Sequence, residues 1–290
     1  MAGVEGRIAV VTGAGQGLGR SYALALAAVG AKVVVNDIGQ GETDTAQQVV
    51  DEIVAAGGQA VADRNSVATP EGGAAVIQTA LDAYGRIDIL VSNAGIERNQ
   101  SYAKSTDEQW RAVMDVHLNG THYLCRAAWP HMIAQGHGRI IPITSPSGLW
   151  GNFSQSSYAA AKMGMIGLAN VLTIEGRRYG ILTNCLAPIA TTPMSASLLS
   201  PALAERLAPE HVAPVVLKLA SDELDTCGAI LIAGGGWVSS AHIALTPGVK
   251  LDHVATQADL DAAWDTILDA GAAAVGGTLD PATLEKMFAG

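Results

Sequence analysis

The stretch "VVTGAGQGLGR", residues 10–20, closes an apolar run ("RIAVVT", 7–12), turns on Gly13, Gly15, Gly17 and Gly19, and opens a helical pattern. The strict G-x-G-x-x-G spacing is not met, because Leu18 and Arg20 stand where its last glycine would fall. The spacing that is met is G-x-x-x-G-x-G, from Gly13, Gly17 and Gly19. The physical consequence is similar. Glycine admits positive φ and lets the backbone approach a pyrophosphate, while the N-terminus of the following helix offers unpaired N–H groups to an anion. Strand, glycine turn and helix at this position read as the first unit of a dinucleotide-binding sheet.

Working outward, short apolar runs alternate with longer helical patterns. The runs at 7–12, 32–36, 59–63, 87–92, 139–145, 181–187 and 229–234 read as strands, and their continuous apolar character suits a parallel sheet covered on both faces. Helices are expected at about 18–30, 43–57, 70–84, 105–135, 157–179 and 209–220, with a capping box from Ser105 and Glu108 opening the fourth. The expected fold is α/β, a Rossmann-type doubly wound parallel sheet of about seven strands with helices on both faces. Its domain should span 1–245. Residues 246–290 form a C-terminal helical extension in which Leu260, Ala263, Trp264, Ile267 and Leu268 have amphipathic helical spacing. Too short to be a domain, this tail must pack on its own subunit or on a neighbour.

The bulk numbers narrow the function classes. Hydrophobic residues make up 49% of the 290, charged residues 15%, and the net charge is −10, which argues against nucleic acid or an anionic membrane as partner. No run approaches the ~20 apolar residues of a membrane helix. Cys125, Cys185 and Cys227 have neither metal nor disulfide spacing, and no cleavable leader precedes the first strand, so a cytoplasmic location is expected. His117, His122, His131 and His137 lack zinc spacing and read as core-edge or surface histidines; no metal site is expected.

Asp37 follows the second strand, 18 residues after Gly19, where a carboxylate can accept both hydroxyls of an adenosine ribose and repel a 2′-phosphate. Nothing basic follows in "DIGQGE" and Gln16 is neutral, so NAD is the expected cofactor. In "GNFSQSSYAAAK" (151–162), Tyr158 and Lys162 fall one turn apart on one helix face. An ammonium there is expected to lower the phenol pKa, so that Tyr158 can exchange a proton with a substrate oxygen. Ser145, ending the fifth strand, can reach the same oxygen.

With these pieces together the chain resembles the short-chain dehydrogenase/reductase family: "TGAGQGLG" (12–19), "SNAG" (92–95), Asn119 in "VHLNG", Ser145, "YAAAK" (158–162) and "NCLAP" (184–188) follow in the family's order. The resemblance implies Tyr158 as general acid/base, Lys162 as the ligand of the nicotinamide ribose, Ser145 as the group polarising the carbonyl, and Asn119 as support for a water relay to Lys162. It implies cofactor contacts from Gly13, Gln16, Gly17, Leu18, Gly19, Asp37, Asn65, Ser66, Asn93, Ala94, Gly95, Tyr158, Lys162, Pro188 and Ile189. Three positions depart from the pattern: Ile189 replaces a glycine, Asn65 an aspartate, and Pro146 removes a backbone N–H after Ser145. Within the family, "SGLWGNFSQSSYAAAKMGMIGLANVLTIEGRR" and "NCLAPIATTPM" resemble the (3R)-hydroxyacyl-CoA dehydrogenase units of peroxisomal-type multifunctional enzymes and related hydroxysteroid dehydrogenases. The implied activity is oxidation of a lipophilic secondary alcohol or reduction of its ketone. Ser147, Trp150, Phe153, Met194 and Leu198 are expected to line the substrate side. The family pairs its long helices across a two-fold axis, which implies a homodimer or homotetramer. A member of this fold that holds NAD as a catalytically silent sensor is the alternative reading.

Overall fold

A computed structural model describes residues 3–39, 41, 43–191, 205–272 and 274–275. The chain divides into two compact units, Met1–Ser240 and Ala241–Gly290. In the first, strands β1 (Ile8–Thr12), β2 (Lys32–Asn36), β3 (Gln59–Asp63), β4 (Ile89–Ser92), β5 (Gly138–Pro142) and β6 (Ile181–Thr183) form a parallel sheet in the order β3-β2-β1-β4-β5-β6. Strand β7 (Cys185–Pro188) runs parallel to β8 (Ile230–Gly234), and β9 (Trp237–Ala241) completes that second sheet. Asn184 alone separates β6 from β7. Its side chain leaves the ladder to bond the Thr226 carbonyl at 2.8 Å and the Ala229 N–H at 2.9 Å. An Ile143–Leu186 bridge carries the pairing past this break, so the single strand expected at 181–187 is two.

The alternation of side chains along the strands builds two cores. Ala9, Val11, Val33, Val35, Ile89 and Val91 point to one face, against α1 (Gly17–Ala28), α2 (Thr45–Ala55) and α8 (Ala213–Ala220). Ile8, Val10, Val34, Leu90 and Ile140 point to the other, where α3 (Pro70–Tyr84) and α5 (Gly120–Gln135) bring Val76, Ile77, Leu124, Ala128 and Met132. This is the expected Rossmann-type arrangement.

The helix expected at 105–135 is three pieces: α4 (Asp107–Met114), a π-helical turn (Asp115–Asn119) and α5. Its cap is also one residue later than expected. Thr106 Oγ1 accepts from Gln109 N at 3.2 Å and Gln109 Oε1 from Thr106 N at 3.1 Å, while Ser105 turns back to the Tyr102 carbonyl. Beyond β5 come the short α6 (Pro146–Trp150) and the long α7 (Ser156–Gly176). In the second unit, α9 (Gln257–Leu268) opens on a capping box of Thr256 and Asp259, and none of its residues is buried. Among the described residues, no helix is long and apolar enough to cross a membrane.

Candidate active site

The strand order reverses between β1 and β4, and at the C-terminal edge of the sheet a crevice of about 730 Å³ opens there. Its floor is the glycine turn. Gly13 (φ +62°) must be glycine twice over, since a Cβ would also lie 2.8 Å from the Ala94 Cα; a Cβ on Gly19 would lie 2.2 Å from the Gly13 carbonyl oxygen. Gly17 (φ +54°) differs: its missing side chain leaves open space over the crevice. Gln16 caps α1 without a side-chain bond, so the first-turn N–H groups stay available to an anion. Asn93 fastens this floor to β4, donating from Nδ2 to the carbonyls of Thr12 (2.9 Å) and Gly13 (3.1 Å).

Asp37 stands at the rim. Oδ2 accepts from Gly15 N at 2.9 Å, and Oδ1 from Gly39 N at 2.9 Å and Thr45 Oγ1 at 3.0 Å. The carboxylate is held in place by the turn it serves. An open cradle at Gly17, a helix N-terminus beneath it and a fixed acid at the rim fit a dinucleotide.

Ser145, Tyr158 and Lys162 meet at the other end of the same crevice, with Gly13, Gln16, Gly17, Leu18, Gly19, Asp37, Asn93, Gly95, Ser147, Pro188 and Ile189 also along its walls. Lys162 is buried, and its Nζ donates to the Ile143 carbonyl at 2.6 Å and sits 5.5 Å from the Tyr158 ring centroid. Burial pulls its pKa down to about 7, opposed by the carboxylate of Glu97. The Tyr158 pKa is raised, not lowered as expected. Burial raises it most, Ser145 lowers it by hydrogen bonding, and Glu97 raises it further. The reason is burial, which outweighs the hydrogen bond from Ser145.

Several expected residues lie elsewhere. Asn119 is not on the crevice wall and donates from Nδ2 to Asp115 Oδ1 at 2.8 Å. Asn65 and Ser66 also stand off it: Asn65 Nδ2 is bonded at 2.7 Å to Asp63, a buried acid that also accepts from Asn36 and Thr79. Ala94 contributes only a backbone N–H to Thr12 Oγ1. Trp150 and Phe153 are 71% and 86% exposed and form no wall of the crevice. Met194 and Leu198 lie outside the described residues.

Nine lining residues were not foreseen, among them Glu97, His117, Asn152 and Gln155. His117 is buried, with its ring edge-on to Tyr158 at 5.2 Å between centroids. Gly95 carried the signal for it, since a Cβ there would lie 2.3 Å from His117 Cε1.

Against known proteins, the family model described as short chain dehydrogenase matches residues 7–202. A Mycobacterium tuberculosis protein, Rv0148, named as a short-chain type dehydrogenase/reductase, is 46% identical over 96% of this chain and 99% of its own length. Peroxisomal multifunctional enzyme type 2 of Drosophila melanogaster is 46% identical over 91% of this chain, which spans only 46% of that enzyme. The solved full-length structure of that enzyme superposes on 98% of this chain with a TM-score of 0.83. A short chain dehydrogenase from Mycobacterium avium, 39% identical, covers 95% of this chain and 98% of its own with a TM-score of 0.84. This chain therefore belongs to the short-chain dehydrogenase/reductase family, oxidoreductases acting on CH–OH groups.

Proposed function

We propose that the protein is an NAD-linked dehydrogenase that interconverts a lipophilic secondary alcohol and its ketone, of the (3R)-hydroxyacyl-CoA or hydroxysteroid kind. The observation that carries this reading is the meeting of Asp37, the Gly17 cradle, Ser145, Tyr158 and Lys162 on one crevice. When bound, the dinucleotide supplies the acceptor or donor of a hydride. Ser145 Oγ holds the substrate oxygen and Tyr158 exchanges its proton. Lys162, tied to the Ile143 carbonyl, keeps two N–H donors for the nicotinamide ribose and the proton path. Because burial favours the phenol of Tyr158, the resting side chain is a proton donor, the form that ketone reduction requires. A Glu97 carboxylate near Tyr158 disfavours a free acid at the reacting carbon and suits a neutral thioester or ring. The exposed Trp150 and Phe153 offer apolar surface beside Asn152 and Gln155 at the crevice wall.

Half-exposed Val171 and Ile174 on α7, and Trp264 on α9, favour a homodimer or homotetramer, and the three free thiols suit the cytoplasm. The cofactor choice is tested by steady-state kinetics with both dinucleotides. Hydrogen bonds to a charged group contribute about 1.5–3 kcal/mol each, so kcat/KM should favour NAD over NADP by more than about tenfold, and Asp37→Ala should erase most of that preference. Equal kcat/KM for the two cofactors in the wild type rejects the assignment.

A further inference from the structure

Two loops meet at the tyrosine end of the crevice. The first leaves β4 and carries Ile96 and Glu97; the second precedes α7 and carries Asn152 and Gln155. The Gln100 N–H donates to the Ser154 carbonyl at 2.9 Å and ties them together. Ser154 (φ +64°) is the one non-glycine residue at positive φ among the described residues, a conformation that strains a serine and that clusters at functional sites. On its other side the first loop is held by His117, whose Nε2 lies 3.0 Å from the Ile96 nitrogen. Glu97 stands between these two anchors.

The carboxylate of Glu97 is half-buried on the crevice wall. Oε2 accepts from Asn99 Nδ2 at 2.8 Å. Among the described residues no cation forms an ion pair with it, and Arg98 beside it donates to the Glu97 backbone carbonyl at 3.0 Å instead. A carboxylate can accept about four hydrogen bonds, so most of this one's capacity is unused. Its charge is felt at the reacting groups, since it raises the pKa of both Tyr158 and Lys162. The side-chain amides of Asn152 and Gln155 share the wall, while the rings of Trp150 and Phe153 are exposed and stand off it. This end of the crevice therefore meets a substrate with polar groups, and foremost with a strong acceptor short of donors.

We propose that Glu97 is a specificity-determining residue, its carboxylate accepting a hydrogen bond from an uncharged N–H or O–H donor that the substrate carries beyond the reacting carbon. This rests on the dehydrogenase reading and adds one substituent to it. The donor is uncharged because both ions are disfavoured: an anionic group is repelled by Glu97, and a cationic one meets the Lys162 ammonium in the same crevice. An amide N–H or a second hydroxyl satisfies both conditions. A substrate lacking it leaves a desolvated carboxylate unpaired, which is the basis of the discrimination.

N-ethylacetoacetamide and N,N-dimethylacetoacetamide are isomers that differ in a single N–H. With NADH as reductant, wild-type kcat/KM should favour the N-ethyl isomer by at least about tenfold, the factor one hydrogen bond to a charged group supplies. Glu97→Leu should bring the two isomers within about twofold, and Glu97→Gln, which keeps an uncharged acceptor, should retain about threefold. Altered ionisation of Tyr158 or Lys162 acts on both isomers alike and cancels in the ratio. A wild-type ratio near one overturns the proposal, as does a preference that survives in Glu97→Leu. A second arm needs no turnover: the two amides are titrated into the enzyme–NADH complex and followed by NADH fluorescence. Tighter binding of the N-ethyl isomer, lost in Glu97→Leu, supports the proposal even where neither amide is reduced, and that outcome rejects the dehydrogenase reading for such ketones alone. Binding of neither isomer overturns the proposal.

Discussion

Tyr158, Lys162 and Glu97 form one electrostatic unit, because the carboxylate raises the pKa of both other groups while burial moves those two apart. Removing the charge by Glu97→Gln should lower both, so the limb of the kcat/KM profile that reports them should shift to lower pH. An unmoved profile would separate Glu97 from Tyr158 and Lys162. Tyr158→Phe keeps the ring and deletes the proton; turnover should fall about 100-fold or more with dinucleotide binding largely kept, and near wild-type turnover would remove Tyr158 from its role. The tyrosine and lysine were legible because a four-residue spacing on an unbroken helix fixes their neighbourhood. Their pKa directions were not, since burial dominates and burial is a property of the folded site. His117 was hidden for a local reason: the extra residue of the π turn changes which side chain faces the crevice, while the family resemblance pointed to Asn119.

At the scale of elements, the glycine turn and the strand ends are where the pattern was clearest, because positive φ and close backbone approach leave few residue choices. Strands β1 to β3 fall at their expected positions for the same reason: each is a short apolar run between breakers. The break at Asn184 and the late cap at Thr106 depend on side-chain bonds to distant or neighbouring backbone, which composition does not display. The turn also permits a test that separates packing from binding. Gly17→Ala adds a methyl into open space at φ +54°, so its folding cost is only the left-handed penalty of about 1–2 kcal/mol. The same methyl stands in the cradle. The variant should stay folded, with a modestly lower melting temperature, and lose dinucleotide affinity by an order of magnitude or more in a fluorescence titration. Unchanged affinity would remove Gly17 from the cofactor floor.

Across the whole molecule, two histidines, His117 buried and His137 partly buried, couple the fold to pH. Burial, aided by nearby cations, holds His117 down to about 3 and His137 to about 4. In an unfolded chain both would titrate near ~6.5. Between those limits the unfolded state binds protons that the native state refuses, so stability falls as pH falls, by about 1.4 kcal/mol per pH unit for each group once pH is well below ~6.5. The two histidines act in the same direction over this range, so their effects on stability add. Asp88, whose pKa is lowered by Arg86, the Ile8 N–H and Arg7 despite burial, adds the same sign but in a lower window, at and below the ordinary carboxylate range. His253 in the second unit has the opposite sign, since Asp252 and Asp259 raise its pKa and so favour the folded state at low pH, but it is exposed and screened. Urea midpoints measured at pH 7, 6 and 5 should therefore decline steadily in the wild type. His137→Gln, which cannot take up a proton in either state, should flatten the decline by about half. A midpoint independent of pH over this range would mean that neither imidazole is held neutral by the fold.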